Sequence, residues 1–152
     1  MSVEELASEN LEELAPLWGA REHLLAVAPR WLPDPYDAEE SWRRRSSQYR
    51  CWLAERDSFA LVARRSCRAV GYAFVHVRGG SPTWAMSERA GELETLAVPP
   101  EERGRGIGRA LLAAVSQRLQ NMGAAEISLH LLVGNDQAAR FYEREGFRPF
   151  AV

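Results

Sequence analysis

The chain has 152 residues, 21 of them acidic and 19 in the Lys+Arg class, giving a net charge of −2 with 46% hydrophobic residues. That length suffices for one domain with a proper core, and the near-neutral charge gives no basis for bulk attraction to nucleic acid. Every Lys+Arg position is arginine, so any grip on a phosphate must come from guanidinium forks and backbone amides.

The opening Met1-Ser2-Val3-Glu4-Glu5 is acidic and has no apolar stretch of the kind a secretory leader needs. No apolar run approaches the roughly 20 residues that cross a bilayer. Cys51 and Cys67 match no metal or redox spacing and read as reduced thiols, and no metal site is expected. These features predict a soluble, cytoplasmic single domain over residues 1–152, with no membrane or nucleic-acid partner.

Ser2 to Leu6 is a weak strand candidate. Asn10 to Leu25 has helical spacing, with Leu11, Leu14, Leu17 and Trp18 on its apolar side, and Pro16 should distort it. Pro29 to Pro35 reads as a proline-interrupted loop holding Trp31. A second helix is expected from Tyr36 to Arg56, starting near Asp37 with Glu39 and Glu40 in its first turn. Trp42, Tyr49 and Trp52 supply its aromatic bulk, while Arg43 to Arg45 read as a solvated face. Phe59 to Ala63 and Ala69 to Val77 are strands joined by a polar turn, and a loop from Gly79 to Gly91 carries Trp84.

Leu93 to Val98 alternates apolar and polar residues and stops at Pro99-Pro100. Arg103-Gly104-Arg105-Gly106-Ile107-Gly108 follows, and then an amphipathic helix with Ile107, Leu111, Val115, Leu119 and Met122 on one face, ended by Gly123. A strand, a glycine-rich turn and a helix start form an anion cradle: unpaired N–H groups converge there and the macrodipole favours negative charge. The Walker pattern fails for want of lysine, and the dinucleotide G-x-G-x-x-G spacing fails at Arg109 and Leu111. Ala125 to Val133 alternates again, with Ile127, Leu129, Leu131 and Val133 on one side and His130 on the other. A short helix follows, with Asn135 or Asp136 as N-cap and Gly146 as its stop.

Arg-x-x-Gly-x-Gly beyond a strand end, followed by Asn135, Ala139, Phe141-Tyr142 and Gly146-Phe147, resembles the GNAT superfamily of acetyl-CoA-dependent N-acetyltransferases. The resemblance is specific from Leu93 to Phe147 and only topological before that. It implies a mixed α/β (α+β) fold in the order β-α-α-β-β-β-α-β-α-β, with a mostly antiparallel sheet splayed between the fourth and fifth strands. The last, short strand would run from Phe147 to Val152.

The resemblance further implies acetyl-CoA as cosubstrate and direct transfer to a primary amine. Its pyrophosphate would lie on the N–H groups of Gly104, Arg105, Gly106, Ile107, Gly108 and Arg109, reinforced by Arg103 or Arg105. The strand segment Leu96-Ala97-Val98 would line the pantetheine and thioester, with Leu96 N–H on the oxyanion and Val98 N–H on the pantetheine. Asn135 would bond the pantetheine arm or cap its helix. Tyr142 stands where the family keeps its general acid. Glu94 is the preferred base or ammonium-binding group, taken to share strand parity with Glu92, Leu96 and Val98. Glu92, Trp31 and Trp84 are the acceptor-pocket candidates. His130, and below it His76 and His23, rank behind the carboxylates as bases. A non-catalytic CoA-binding sensor and a protein N-terminal or side-chain acetyltransferase remain the alternatives, and a homodimer is the assembly the family suggests.

Overall fold

The computed structural model of the chain describes residues 1–19 and 26–150. Strands β1 (Ser2–Glu5), β2 (Phe59–Arg65), β3 (Arg68–Gly79), β4 (Arg89–Ala97) and β5 (Ile127–Ser128) lie in one sheet in sequence order. The first four pair antiparallel, and β5 joins β4 in parallel. Helix α1 (Ala38–Ala54) covers one face, α2 (Ile107–Asn121) the other, and α3 (Asp136–Arg144) follows β5.

Helices α1 and α3 start where the sequence places their caps. The Asp37 carboxylate accepts from Glu40 N–H at 2.8 Å, and Asn135 Oδ1 accepts from Ala138 N–H at 3.4 Å. Gly106, at φ +78°, is the residue before α2. The β2–β3 turn is a two-residue hairpin in which Ser66 and Cys67 both have positive φ, the backbone twist that such turns require.

On one face, Ile107, Leu111, Val115 and Leu119 of α2 pack on Leu61, Ala73, Val75 and Leu93. On the other, Trp42 and Tyr49 of α1 join Leu11 and Leu14 over Val62, Tyr72 and Phe74. Tyr49 stacks on Phe74 with ring centroids 4.0 Å apart.

Three local expectations are corrected. The first helix is a 3-10 helix over Ser8–Leu17 with Pro16 inside it, and the remainder of the expected segment, with His23, lies outside the described residues at 20–25. The alternation through Val133 does not make a long strand: pairing stops at Ser128, and Leu131 and Val133 stay exposed. Residues 147–150 join no strand, and the rest of that expected element lies outside the described residues.

Gly71 brings α2 close to the sheet. A Cβ there would lie 2.9 Å from Ile107 Cγ2 and 3.1 Å from the Ala97 carbonyl oxygen, which is fixed by the β3–β4 ladder. Gly71→Ala should therefore destabilise the fold by about 1–3 kcal/mol through overpacking. The measurement is the urea midpoint, expected to fall with the slope unchanged; a midpoint equal to the parent's would show that the first turn of α2 can yield.

Candidate active site

The site is built around one extra residue in β4. Phe74 pairs with Thr95 and Val75 with Leu93, so Glu94 has no partner on β3 and forms a bulge. The bulge changes which side chains share a face. Gly91, Leu93 and Leu96 face α2, whereas Thr95 and Ala97 face α1. This corrects the expected parity: Glu92 and Glu94 do not share the face of Leu96, because the inserted residue shifts the alternation between them.

The backbone follows the same shift. Gly91 N–H donates to the Glu126 carbonyl at 3.0 Å, so at that point β4 presents its polar groups to β5. Alternation with one extra residue turns Leu96 N–H and Val98 N–H to the same side. The β4–β5 ladder ends at Glu92–Ser128, so neither has a β5 partner. A splayed gap results, with donors on its β4 wall.

At the foot of the gap stands the N-terminus of α2. The first N–H there to reach a carbonyl is that of Ala110, which donates to Gly106 at 3.0 Å. Those of Gly104 through Arg109 have no partner among the described residues. Gly104 and Gly106 both have φ +78°, and open space lies where a side chain would start. That is a concave nest for an anion at a helix dipole's positive end. Arg105 and Arg109 border it, each only 3.8 Å from a carboxylate, while Arg103 Nε donates to the Val98 carbonyl at 3.1 Å and ties the loop to β4. Beneath the loop, buried Glu102 is held at 2.6 Å by both Arg65 and Arg68 from the β2–β3 hairpin. Hydrogen bonding from Arg65, with the nearby guanidinium charges, keeps its carboxyl below the usual range. The donor set and the open space suit a diphosphate.

Helix α3 closes the third side. Phe141 Cζ would be 3.3 Å from a Cβ on Gly108, and Leu96 Cδ2 3.9 Å from it, so α3, α2 and β4 converge at that glycine. Tyr142 lies between Phe141 and Phe147 in edge-on contacts of 5.1 and 5.4 Å. Its hydroxyl has no hydrogen-bond partner among the described residues, and burial pushes the phenol up to about 12.

A family model described as the acetyltransferase (GNAT) family matches residues 11–147. The chain belongs to that family. A mycothiol acetyltransferase of Kocuria rhizophila is 35% identical over 102 residues, which cover 66% of this chain and 33% of the relative. An uncharacterised N-acetyltransferase of Mycobacterium bovis is 32% identical over 123 residues, 81% of this chain and 71% of the relative. An aminoglycoside N-acetyltransferase solved in complex with CoA shares the fold, with a TM-score of 0.73 and 20% identity over 99% of this chain and 90% of that one. The chain spans about a third of the length of the mycothiol acetyltransferases it matches.

On the α1 face of this GNAT domain the two strand carboxylates differ sharply. Glu92 is buried and both of its oxygens are engaged, one by Arg78 at 2.8 Å and one by His130 at 2.9 Å. Glu94 is half-buried and has no ion pair or hydrogen bond among the described residues. Burial, and then the Glu92 charge, raise its carboxyl above the ordinary value of 4.5. Beside it the Tyr49 hydroxyl bonds the Thr95 hydroxyl and lies 3.1 Å from that of Tyr72, a buried chain that fastens the bulge to α1. Neither this chain nor the Glu92–His130 pair was visible in sequence.

Trp31 is 81% exposed and Trp84 60% exposed, the latter edge-on to Phe150 at 6.3 Å. Neither is a core anchor. Among the described residues no helix is long and apolar enough to cross a membrane.

The Glu94 environment has a signed consequence. A raised folded-state value means that the folded protein holds the proton more tightly than the unfolded chain. Ionised Glu94 therefore costs stability, a cost that sets in as pH rises through 4.5 and is full above the raised value. Glu94→Gln should match the parent's Tm below pH 4.5 and exceed it at pH 7–8. A thermal melt series across that range checks the sign, and a lower Tm for the variant at pH 8 would mean that an ion pair holds Glu94.

Proposed function

We propose that residues 1–152 form a single GNAT domain that transfers an acetyl group from acetyl-CoA to a primary amine, both bound at once. What carries this reading is the gap between β4 and β5, with its unpaired strand donors, beside a helix N-terminus whose N–H groups are free. A diphosphate on the N–H groups of Gly104 to Arg109, flanked by Arg105 and Arg109, would direct the rest of the CoA chain up the gap, along Leu96, Ala97 and Val98. Val98 N–H and Asn135 border that path. Acetyl-CoA supplies an activated acetyl group, and everything else falls to the protein.

Leu96 N–H is the donor for the oxygen that becomes negative when the amine attacks. A fixed donor of this kind lowers a barrier by a few kcal/mol, about 2.7–4 where one has been removed. Tyr142 is the acid for the departing thiolate: raised to about 12, the phenol is fully protonated near neutral pH, and the dryness that raises it also makes a thiolate more basic. Glu94 attracts the acceptor's ammonium and takes its first proton, directly or through water. Glu92, Trp31 and Trp84 would serve the acceptor, and an exposed indole offers a face to a cation. A cytoplasmic location and a homodimer accompany this reading.

A non-catalytic CoA sensor would need the nest but not the phenol, and a Tyr142 hydroxyl with no hydrogen-bond partner among the described residues favours an enzyme. Acetyl-CoA and free CoA, but not AMP, should raise the Tm of the purified protein, since a ligand of the folded state alone must do so. Tyr142→Phe should keep that shift and lose about a hundredfold in kcat. No shift at millimolar acetyl-CoA would remove the enzyme reading, and full turnover in Tyr142→Phe would remove the phenol from it.

A further inference from the structure

Acetylation of an ammonium removes two protons from the nitrogen. The ammonium nitrogen bears three hydrogens and the amide product one, so two protons leave it; one ends on sulfur and one in water. Glu94 can hold one. The second group lies two residues beyond the end of β5.

His130 is 86% exposed, and its Nδ1 lies 2.9 Å from Glu92 Oε1, whose side chain is only 9% exposed. Arg78 Nη2 engages the other Glu92 oxygen at 2.8 Å, so the carboxylate is fixed from two sides. With Nδ1 turned to the Glu92 carboxylate, Nε2 is the ring nitrogen on the opposite side, and it has no partner among the described residues. This is the order in which a buried carboxylate orients an imidazole for proton transfer. The position fits as well. Ser128 pairs with Glu92 in the last rung of the β4–β5 ladder, and His130 lies two residues further on, at the mouth of the gap. Leu129 between them packs toward the α2 core, which leaves His130 on the face of Glu92 and Glu94.

We propose that His130 is a second proton acceptor in acetyl transfer, with Glu92 the positioning residue that presents it; this rests on the amine-acetylation reading above. The first proton passes from the ammonium to Glu94, and the amine lone pair then forms the C–N bond. The nitrogen, now carrying two hydrogens and a positive charge, gives one to His130 Nε2. The C–S bond breaks, its electron pair stays on sulfur, and the Tyr142 phenol protonates the thiolate. Of the two protons on Glu94 and His130, one restores the phenol and the other leaves through the exposed imidazole. No redox change or further reagent is needed.

The experiment has two readouts on the full chain. Long-range 1H–15N spectra of the histidine rings should show His130 as the Nδ1–H tautomer, and Glu92→Met should move it toward the Nε2–H form that free histidine prefers in water. CoA thiol release from acetyl-CoA is then followed with benzylamine, glucosamine and an alanyl peptide as acceptor probes. His130→Ala should lower kcat by about tenfold or more, with the KM for acetyl-CoA and the Tm unchanged. Added imidazole should restore part of the rate in His130→Ala and none in Tyr142→Phe, a recovery that a merely structural role would not give. An Nε2–H ring in the parent protein, an unchanged kcat, or a loss that imidazole does not repair overturns the proposal while leaving the acetyltransferase reading intact. A parent protein that binds acetyl-CoA yet releases no thiol with any probe overturns the amine-acceptor reading, and this proposal with it.

Discussion

The extra residue at Glu94 is the constraint on which the site depends. In an uninterrupted β4, Leu96 would turn toward α1 and its N–H toward β3, where the ladder would consume it. The bulge rotates the end of the strand by one position. Leu96 can then bury its side chain against Gly108 and Phe141 while its N–H faces the gap. Such an irregularity survives only if something holds it, because pairing is lost at the inserted residue. Tyr49 does so: its ring lies flat on Phe74, opposite Thr95 in the register, and its hydroxyl bonds Thr95 itself. A helix on one face of the sheet thereby fixes a backbone donor on β4.

Charge is partitioned across the same sheet. The glycine loop collects positive potential from a helix N-terminus and from Arg105 and Arg109, whereas Glu92 and Glu94 occupy the α1 face. Glu102 would oppose an anion at the loop, being buried beneath it, but Arg65 and Arg68 neutralise it and fasten the β2–β3 hairpin to the loop. Removing one partner of such a cluster would strand a buried charge, so its role is geometric as much as energetic. With no lysine in the chain, the long cationic side chains are all arginines, whose planar forks suit paired contacts to carboxylates and phosphates.

Much of this was legible in sequence because it is local. The caps Asp37 and Asn135, the apolar stripe from Ile107 to Leu119 and the glycines before it are each specified within one or two helical turns. The bulge was not, since nothing in Leu93-Glu94-Thr95-Leu96 marks an inserted residue; only the register against Phe74 and Val75 reveals it. Assuming strict alternation put Glu94 on the face of Leu96, an error of one residue that inverts the geometry. The same holds for the Tyr49–Thr95 contact, between residues 46 apart, and for Glu92 on β4 with His130 beyond the end of β5. The alternation from Ala125 to Val133 misled for a related reason. Its pattern is that of a strand, but pairing ends where β4 bends away, and the later apolar residues emerge into solvent.

The groups proposed to act share one property: each is left incomplete by the fold. Among the described residues, Leu96 N–H has no β5 partner, the helix donors have no carbonyls, Glu94 has no ion pair, and the Tyr142 hydroxyl has no hydrogen bond. Each omission forgoes an internal bond worth about 0.5–1.5 kcal/mol net. The offset lies in the aromatic layer under α1, where Trp42, Tyr49, Phe74, Trp52 and His76 pack ring on ring across the back of β3. That layer is mostly aromatic, and it contributes no group to the proposed chemistry except through Tyr49. Stability and reactivity are thus kept in different parts of the molecule. The sheet carries the two into contact at a single strand, which explains why one inserted residue can govern both.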